Sequence, residues 1–266
     1  LSFAAILTLF TASAQTAPAQ TPAPSAHEVI PPAPTTPEEE KAQRTLFEQD
    51  EKTLRDWPNL GRYQAENMRL QPPQPGSPRV VFMGDSITEG WMNHGTGASP
   101  QNPGFFPGKP WLDRGISGQT TPQMLLRFRQ DVIDLKPSVV VIFAGTNDIA
   151  GNTGPITPEQ TEGNIKSMAE LAKANGIKVV LCSILPAYEF KWRPGRDPAP
   201  KIVAINRWIE SYAEAQHYPY VDFHKAMADQ RGGLPENLSH DGVHPTAAGY
   251  AIMNPLVEAG IQQALK

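Results

Sequence analysis

The chain has 266 residues, 39% of them hydrophobic, with 23 basic against 27 acidic side chains and a formal charge of −4. That length suits one catalytic-sized domain with extra sequence at an end, and the near-neutral balance offers no basic stripe for nucleic acid. One cysteine, Cys182, sits in the apolar run Val179-Val180-Leu181-Cys182, which excludes an internal disulfide and predicts a buried thiol without chemistry.

Residues 1–10 are mostly apolar and run into Thr11-Ala12-Ser13-Ala14. An apolar run of about ten residues that ends at small ones reads as a secretory signal, too short to span a bilayer. The reading is a signal peptide over 1–14, a secreted or periplasmic protein, and no stable membrane anchor. Residues 15–35 are almost all Ala, Pro, Thr, Gln and Ser. Such a segment buries too little apolar surface to offset its ordering entropy, which predicts a linker.

The folded domain is expected over 36–266, with helices at its start as far as residue 70. Thr36-Pro37-Glu38-Glu39 has a capping Thr, proline at the first helical position and a Glu that can reach back to the cap. Leu46, Phe47, Leu54 and Trp57 then recur at helical spacing and give an apolar face, and Trp57-Pro58 ends the helix.

From there, apolar strand-like runs at 80–83, 139–143, 179–184 and 218–223, with a weaker one at 112–116, alternate with helical stretches near 122–135, 158–174, 201–216 and 247–265. The alternation predicts an α/β fold, a parallel sheet with helices on both faces and ligand chemistry in the loops that leave the strand C-termini.

Four such loops carry candidates. Val80-Val81-Phe82-Met83-Gly84-Asp85-Ser86 runs from a buried strand into a glycine, an acid and a serine that opens a helix, where free N–H groups face outward. Ser86 is the candidate nucleophile, although a lone Gly-Asp-Ser is also an ordinary helix cap. Ile116-Ser117-Gly118-Gln119-Thr120-Thr121 offers a backbone N–H at Gly118 and a capping Thr121, and Gly145-Thr146-Asn147-Asp148 places the Asn147 amide at the mouth of the sheet. Ser239-His240-Asp241-Gly242-Val243-His244-Pro245 sets Asp241 three residues from His244, close enough to orient the imidazole, while Pro245 holds His244 extended. Together they supply the parts for acyl transfer by a serine. The α/β-hydrolase elbow does not fit, because Gly84-Asp85-Ser86-Ile87-Thr88 lacks its second glycine.

In order and spacing these four blocks resemble the SGNH hydrolases, also called the GDSL esterase/lipase family, over about residue 80 to the C-terminus. Ile87 stands where the family name has leucine, and Asp56-Trp57-Pro58 and Glu89-Gly90-Trp91 look like the branch of platelet-activating-factor acetylhydrolase and carbohydrate acetylesterases. The resemblance implies a three-layer α/β/α sandwich with a flavodoxin-like sheet of about five strands. It implies Ser86 as nucleophile, His244 as general base, Asp241 as orienter, and an oxyanion hole from the Ser86 and Gly118 N–H groups and the Asn147 side chain. No cofactor is called for.

The expected substrate is a small-molecule or carbohydrate ester with a short, acetyl-like acyl group, since no long apolar lid segment appears. Asp85, Trp91 and Trp192 are candidates for substrate contact, and the loops after Gly90 and Gly151 and the loop 188–196 for the walls of the site. Alternatives are a lipase or thioesterase of the same family, a metal-dependent hydrolase using His240, Asp241 and His244, and a sugar-binding module with a dead site.

Overall fold

A computed structural model of the chain describes residues 36–94 and 105–266. The signal peptide and linker expected over 1–35 and most of the loop after Gly90 lie outside the described residues. The chain divides into two compact units at Phe47 and Glu48. Helix α1, Pro37–Arg55, runs across that division. Its start has the capping geometry read from the sequence: Glu39 N–H donates to Thr36 Oγ1 at 3.2 Å, and Thr36 N–H donates to Glu39 Oε2 at 3.0 Å. Leu46, Phe47 and Leu54 on that helix are exposed.

The second unit is built on five parallel strands, β1 Val80–Gly84, β2 Trp111–Gly115, β3 Val139–Phe143, β4 Lys178–Cys182 and β5 Tyr220–Val221, in the order β2-β1-β3-β4-β5. This is the flavodoxin-like order expected, and its direction reverses between β1 and β3, where open α/β sheets hold their ligands. Register is fixed from Val80 against Trp111 on one side and Val80 against Val139 on the other. The strands read as unbroken apolar runs because both faces are covered. Val81, Met83, Val140, Ile142, Val179 and Leu181 pack into one core, and Val80, Phe82, Val139, Val141, Val180 and Cys182 into the other.

The first core is closed by α4 Thr121–Asp131, α6 Pro158–Ala174 and α7 Pro198–Gln216, the second by α3 Ser86–His94, α8 Phe223–Met227 and α9 Ala247–Leu265. Two short helices complete the described elements, α2 Gln64–Arg69 and α5 Thr146–Ala150. The outcome is the three-layer sandwich expected, with differences in detail. The helix expected over 122–135 stops at Asp131 and is followed by a 3₁₀ turn, Ile133–Leu135. Thr120, not Thr121, is its cap residue, and Thr120 N–H donates to Gln123 Oε1 at 3.1 Å. The last strand keeps two of its six expected residues: Pro219 has no N–H to give, although its carbonyl accepts from Leu181 N–H at 3.0 Å, and Asp222 and Phe223 cap and open α8.

Gly84 is where sheet and helix come closest. A Cβ there would lie 1.9 Å from Thr88 Oγ1 and 2.9 Å from the Phe143 carbonyl, so the absence of a side chain lets α3 start directly against β1 and β3.

Candidate active site

Ser86 is the first residue of α3, half-buried at the C-terminal edge of the sheet. His244 Nε2 lies 2.9 Å from Ser86 Oγ, and its Nδ1 lies 2.6 Å from Asp241 Oδ2. An ionised carboxylate can only accept, so Nδ1 carries the ring proton and Nε2 accepts from the serine hydroxyl. The other carboxylate oxygen, Asp241 Oδ1, accepts from Ser239 Oγ at 3.0 Å, Val243 N–H at 2.9 Å and His244 N–H at 2.8 Å. Partial burial pushes the Asp241 carboxyl up, but the bonds from the His244 ring and from the His244 and Val243 N–H groups outweigh it and hold it well below the usual carboxylate range. A bridge between Ser239 and Pro245 closes the loop that carries both residues, and Thr246 caps α9 with Gly249 N–H donating to its hydroxyl at 3.4 Å.

Three further groups lie at the same edge of the sheet. Among the described residues, the backbone N–H groups of Ser86 and Gly118 donate to no protein acceptor. Gly118 has φ +78°, a left-handed conformation that glycine tolerates, and it turns the chain between β2 and α4. Asn147, buried in the first turn of α5, donates from Nδ2 to the Gln119 carbonyl at 3.0 Å and makes a longer 3.3 Å contact with Asp85 Oδ2. The structure therefore brings Ser86, Gly118, Asn147, Asp241 and His244 to one end of the sheet, three of them in the loops after β1, β2 and β3.

Of the three candidates for substrate contact, the geometry leaves Trp192. Trp91 is fully buried, its indole N–H donating to Asn254 Oδ1 at 2.6 Å, in an aromatic cluster with Phe82 and Tyr250. It is a core residue, and the expectation that it meets substrate is corrected. Asp85 is buried as well: Oδ1 accepts from Ile87 N–H at 2.9 Å and Oδ2 faces Asn147. Burial raises its carboxyl to about 6, opposed by the Ile87 N–H and by His244 and reinforced by Asp148. It supports Asn147 from below instead of facing solvent. Trp192 is 44% exposed and packs one face on buried Phe190 at 4.9 Å between ring centroids. A cavity of about 260 Å³ is lined by Tyr188, Lys191, Arg231, Glu236, His240 and Asp241 among others, with the Arg231 guanidinium 5.5 Å over the Tyr188 ring.

His240 does not join a ligand set with Asp241 and His244. Both imidazole nitrogens of His244 are engaged, and among the described residues no group of three His, Cys, Asp or Glu is placed to hold a metal ion.

Further residues shape the site; Asp148 stood in the Gly145-Thr146-Asn147-Asp148 block, while Arg127 and Asn152 were not singled out. Asp148 is buried and accepts from Thr121 N–H at 3.0 Å and Thr161 Oγ1 at 3.3 Å, which joins the start of α4 to α5 and α6. Arg127 is fully buried, donating to the Gly84 carbonyl at 3.0 Å, Gln119 Oε1 at 2.6 Å and Asp131 Oδ2 at 3.2 Å. Asn152 donates from Nδ2 to Asn147 Oδ1 at 2.7 Å. The four-residue spacing of Arg127 and Asp131 was a visible signal; nothing in residue type marks Asn152.

Residues 82–252 match the model of the GDSL-like lipase/acylhydrolase family. A crystal structure of a GDSL-like lipase from Bacteroides thetaiotaomicron is 49% identical, covers 78% of this chain and 98% of that one, and superposes with a TM-score of 0.73. Among curated proteins, the esterase TesA of Pseudomonas aeruginosa is 33% identical over 52% of this chain, and an acetylxylan esterase of Xylanibacter ruminicola is 26% identical over 71% of it. The chain spans 62% and 44% of the lengths of those two relatives. With more than half of its residues inside the family match, and the nucleophile block, the Gly118 turn, Asn147 and the Asp241/His244 loop assembled at one sheet edge, the chain belongs to the GDSL-like lipase/acylhydrolase family.

Proposed function

We propose that the protein is a serine esterase that removes short acyl groups, acetyl above all, from a carbohydrate ester through an acyl-enzyme on Ser86. The observation that carries the reading is the unbroken line Asp241–His244–Ser86, with hydrogen-bond distances of 2.6 and 2.9 Å, ending beside unpaired backbone donors.

In this reading Ser86 Oγ bonds to the ester carbon as its proton passes to His244 Nε2. The carbonyl oxygen becomes an oxyanion held by the N–H groups of Ser86 and Gly118 and by the Asn147 N–H that makes the long contact with Asp85. The intermediate collapses, and the alcohol leaves with the proton from Nε2. Water then attacks the acyl-enzyme, gives its proton to Nε2, and the serine regains its hydrogen as the acid departs. Asp241, held ionised by its four bonds, keeps Nδ1 protonated throughout and balances the imidazolium.

The substrate class rests on the cavity that borders Asp241. That cavity is lined mostly by charged and polar side chains, with Tyr188 exposed on it, a surface suited to a sugar ring. The acetylxylan esterase relative points to the same class. Among the described residues no helix is long and apolar enough to cross a membrane, and the leader read at 1–14 supports a place outside the cytoplasm.

Intact-mass analysis after treatment with an organophosphonate tests the core of the reading. The parent is expected to gain one adduct and Ser86→Ala none, with esterase turnover lost in the variant. An unlabelled parent, or an active Ser86→Ala, would remove Ser86 as nucleophile.

A further inference from the structure

A line of hydrogen bonds runs inward from the exposed loop 188–196. Trp192 Nε1–H donates to Asn152 Oδ1 at 3.3 Å. Asn152 Nδ2 donates to Asn147 Oδ1 at 2.7 Å and to the Gly118 carbonyl at 3.3 Å, and Asn152 N–H donates to the Asn147 carbonyl at 3.1 Å. The turn that makes this possible is Gly151, with φ +71°, which ends α5 and folds the chain back so that Asn152 returns to the helix start.

The direction of each amide in this line follows from its outer end. An indole N–H donates and never accepts, so Trp192 holds the oxygen of Asn152 towards itself and turns the nitrogen inward. That nitrogen in turn holds the oxygen of Asn147, leaving the Asn147 nitrogen facing Gln119 and Asp85. Asn152 thus bonds the Asn147 side chain directly and holds Gly118 through its carbonyl, on the peptide next to the N–H assigned to the oxyanion hole.

We propose that Asn152, anchored by Trp192, is a positioning residue that sets the oxyanion donors Asn147 and Gly118. The inference rests on the reading of those two groups given above. The Gln119 carbonyl and Asp85 favour the same orientation of Asn147, so loss of Asn152 loosens the amide without reversing it. The expected effect is smaller than removal of Asn147 itself.

The test is a double-mutant cycle read as kcat and KM on p-nitrophenyl acetate, with thermal melts of each full-length variant. Asn152→Ala is expected to lower kcat about tenfold to a hundredfold with KM within about twofold, as a misplaced catalytic group does. Asn152→Asp, which keeps an acceptor for Trp192 but gives Asn147 no donor, is expected to be at least as slow. Trp192→Phe keeps a ring at an exposed position and removes the N–H, and is expected to lower kcat about two- to fivefold in the parent and by clearly less beside Asn152→Ala, where the N–H has no partner to hold. Adding Asn152→Ala to Asn147→Ala is expected to cost nothing further. An unchanged kcat in both Asn152→Ala and Asn152→Asp, or losses that multiply with Asn147→Ala, would overturn the inference. Retained kcat in Asn147→Ala would instead remove the oxyanion reading on which it stands. Should Asn152→Ala melt below assay temperature, Trp192→Phe and Asn152→Asp decide the matter.

Discussion

His244 Nε2 meets Ser86 Oγ at 2.9 Å across 158 positions of chain. The distance is set by two helices, α3 opening at Ser86 and α9 beginning just after His244, and these are tied by buried bonds from Tyr250 Oη to the Ile87 carbonyl at 2.6 Å and from Trp91 to Asn254. A pair of helix starts is thereby tied together, and the short loop that carries His244 is closed by the Asp241 bonds to the Val243 and His244 N–H groups and by the bridge from Ser239 to Pro245.

Asp241→Asn tests the role of that orientation. With its oxygen kept by the Ser239, Val243 and His244 donors, the new amide would present its nitrogen to Nδ1. An N–H facing Nδ1 requires that nitrogen to accept, which moves the ring proton to Nε2 and leaves no base for Ser86. We expect kcat to fall by about 10⁴ with the melting temperature little changed. A loss of less than about tenfold would mean that Asp241 does not set the tautomer.

Acyl length is the second test. In the proposed reading the cavity beside Asp241 takes the sugar, and an alkyl chain entering it instead would desolvate Lys191, Arg231 and Glu236. We expect kcat/KM on p-nitrophenyl acetate to exceed that on the octanoate ester by about tenfold or more, since the desolvation cost outweighs the transfer energy of the added methylenes. A rate that rises with chain length would favour the lipase or thioesterase reading.

Much of this was legible in the sequence for a physical reason. β1, β3 and β4 are covered on both faces, so they appear as apolar runs that need no partner to be recognised, and the polar residues that interrupt them mark the sheet edge. Asp241 and His244 were legible because they act at short range in one loop. Trp91 was a candidate for substrate contact, although its spacing carried the answer: Ile87 and Trp91 are four residues apart on α3, share a face, and both pack into the core. Asn152 was not legible. Its contact with Asn147 depends on the left-handed turn at Gly151, and its contact with Trp192 joins two loops that only the fold brings together.

Trp91→Phe separates a core role from a substrate role. It removes the donor to Asn254 Oδ1, and Asn254 Nδ2 already has no partner, so a buried amide is left without either bond. We expect a loss of about 1–3 kcal/mol in unfolding free energy, measured by denaturant titration, with KM on the acetate ester unchanged within about twofold. A raised KM with normal stability would restore Trp91 to the substrate site.

Asp113 supplies a test of how stability responds to pH. It lies buried on β2, where Gly115 N–H donates to Oδ1 at 2.7 Å and Oδ2 has no partner. Burial raises its carboxyl to about 8; the Gly115 N–H, Arg114 and Arg127 oppose that rise, and Glu89 adds to it. From about pH 4, where an unfolded aspartate loses its proton, up to about pH 8, the folded chain binds a proton that the unfolded chain does not. Stability from this group is therefore complete at low pH and lost as pH rises through that window. Asp113→Asn stays neutral at every pH and escapes the loss. The shift of Asp85 to about 6 acts in the same direction but is present in both proteins, so it cancels in their difference. We expect the variant and the parent to melt together near pH 4 and the variant to melt progressively higher as pH approaches 8, with the gap constant above it. A gap that does not vary with pH would show that Asp113 is ionised in the folded state throughout.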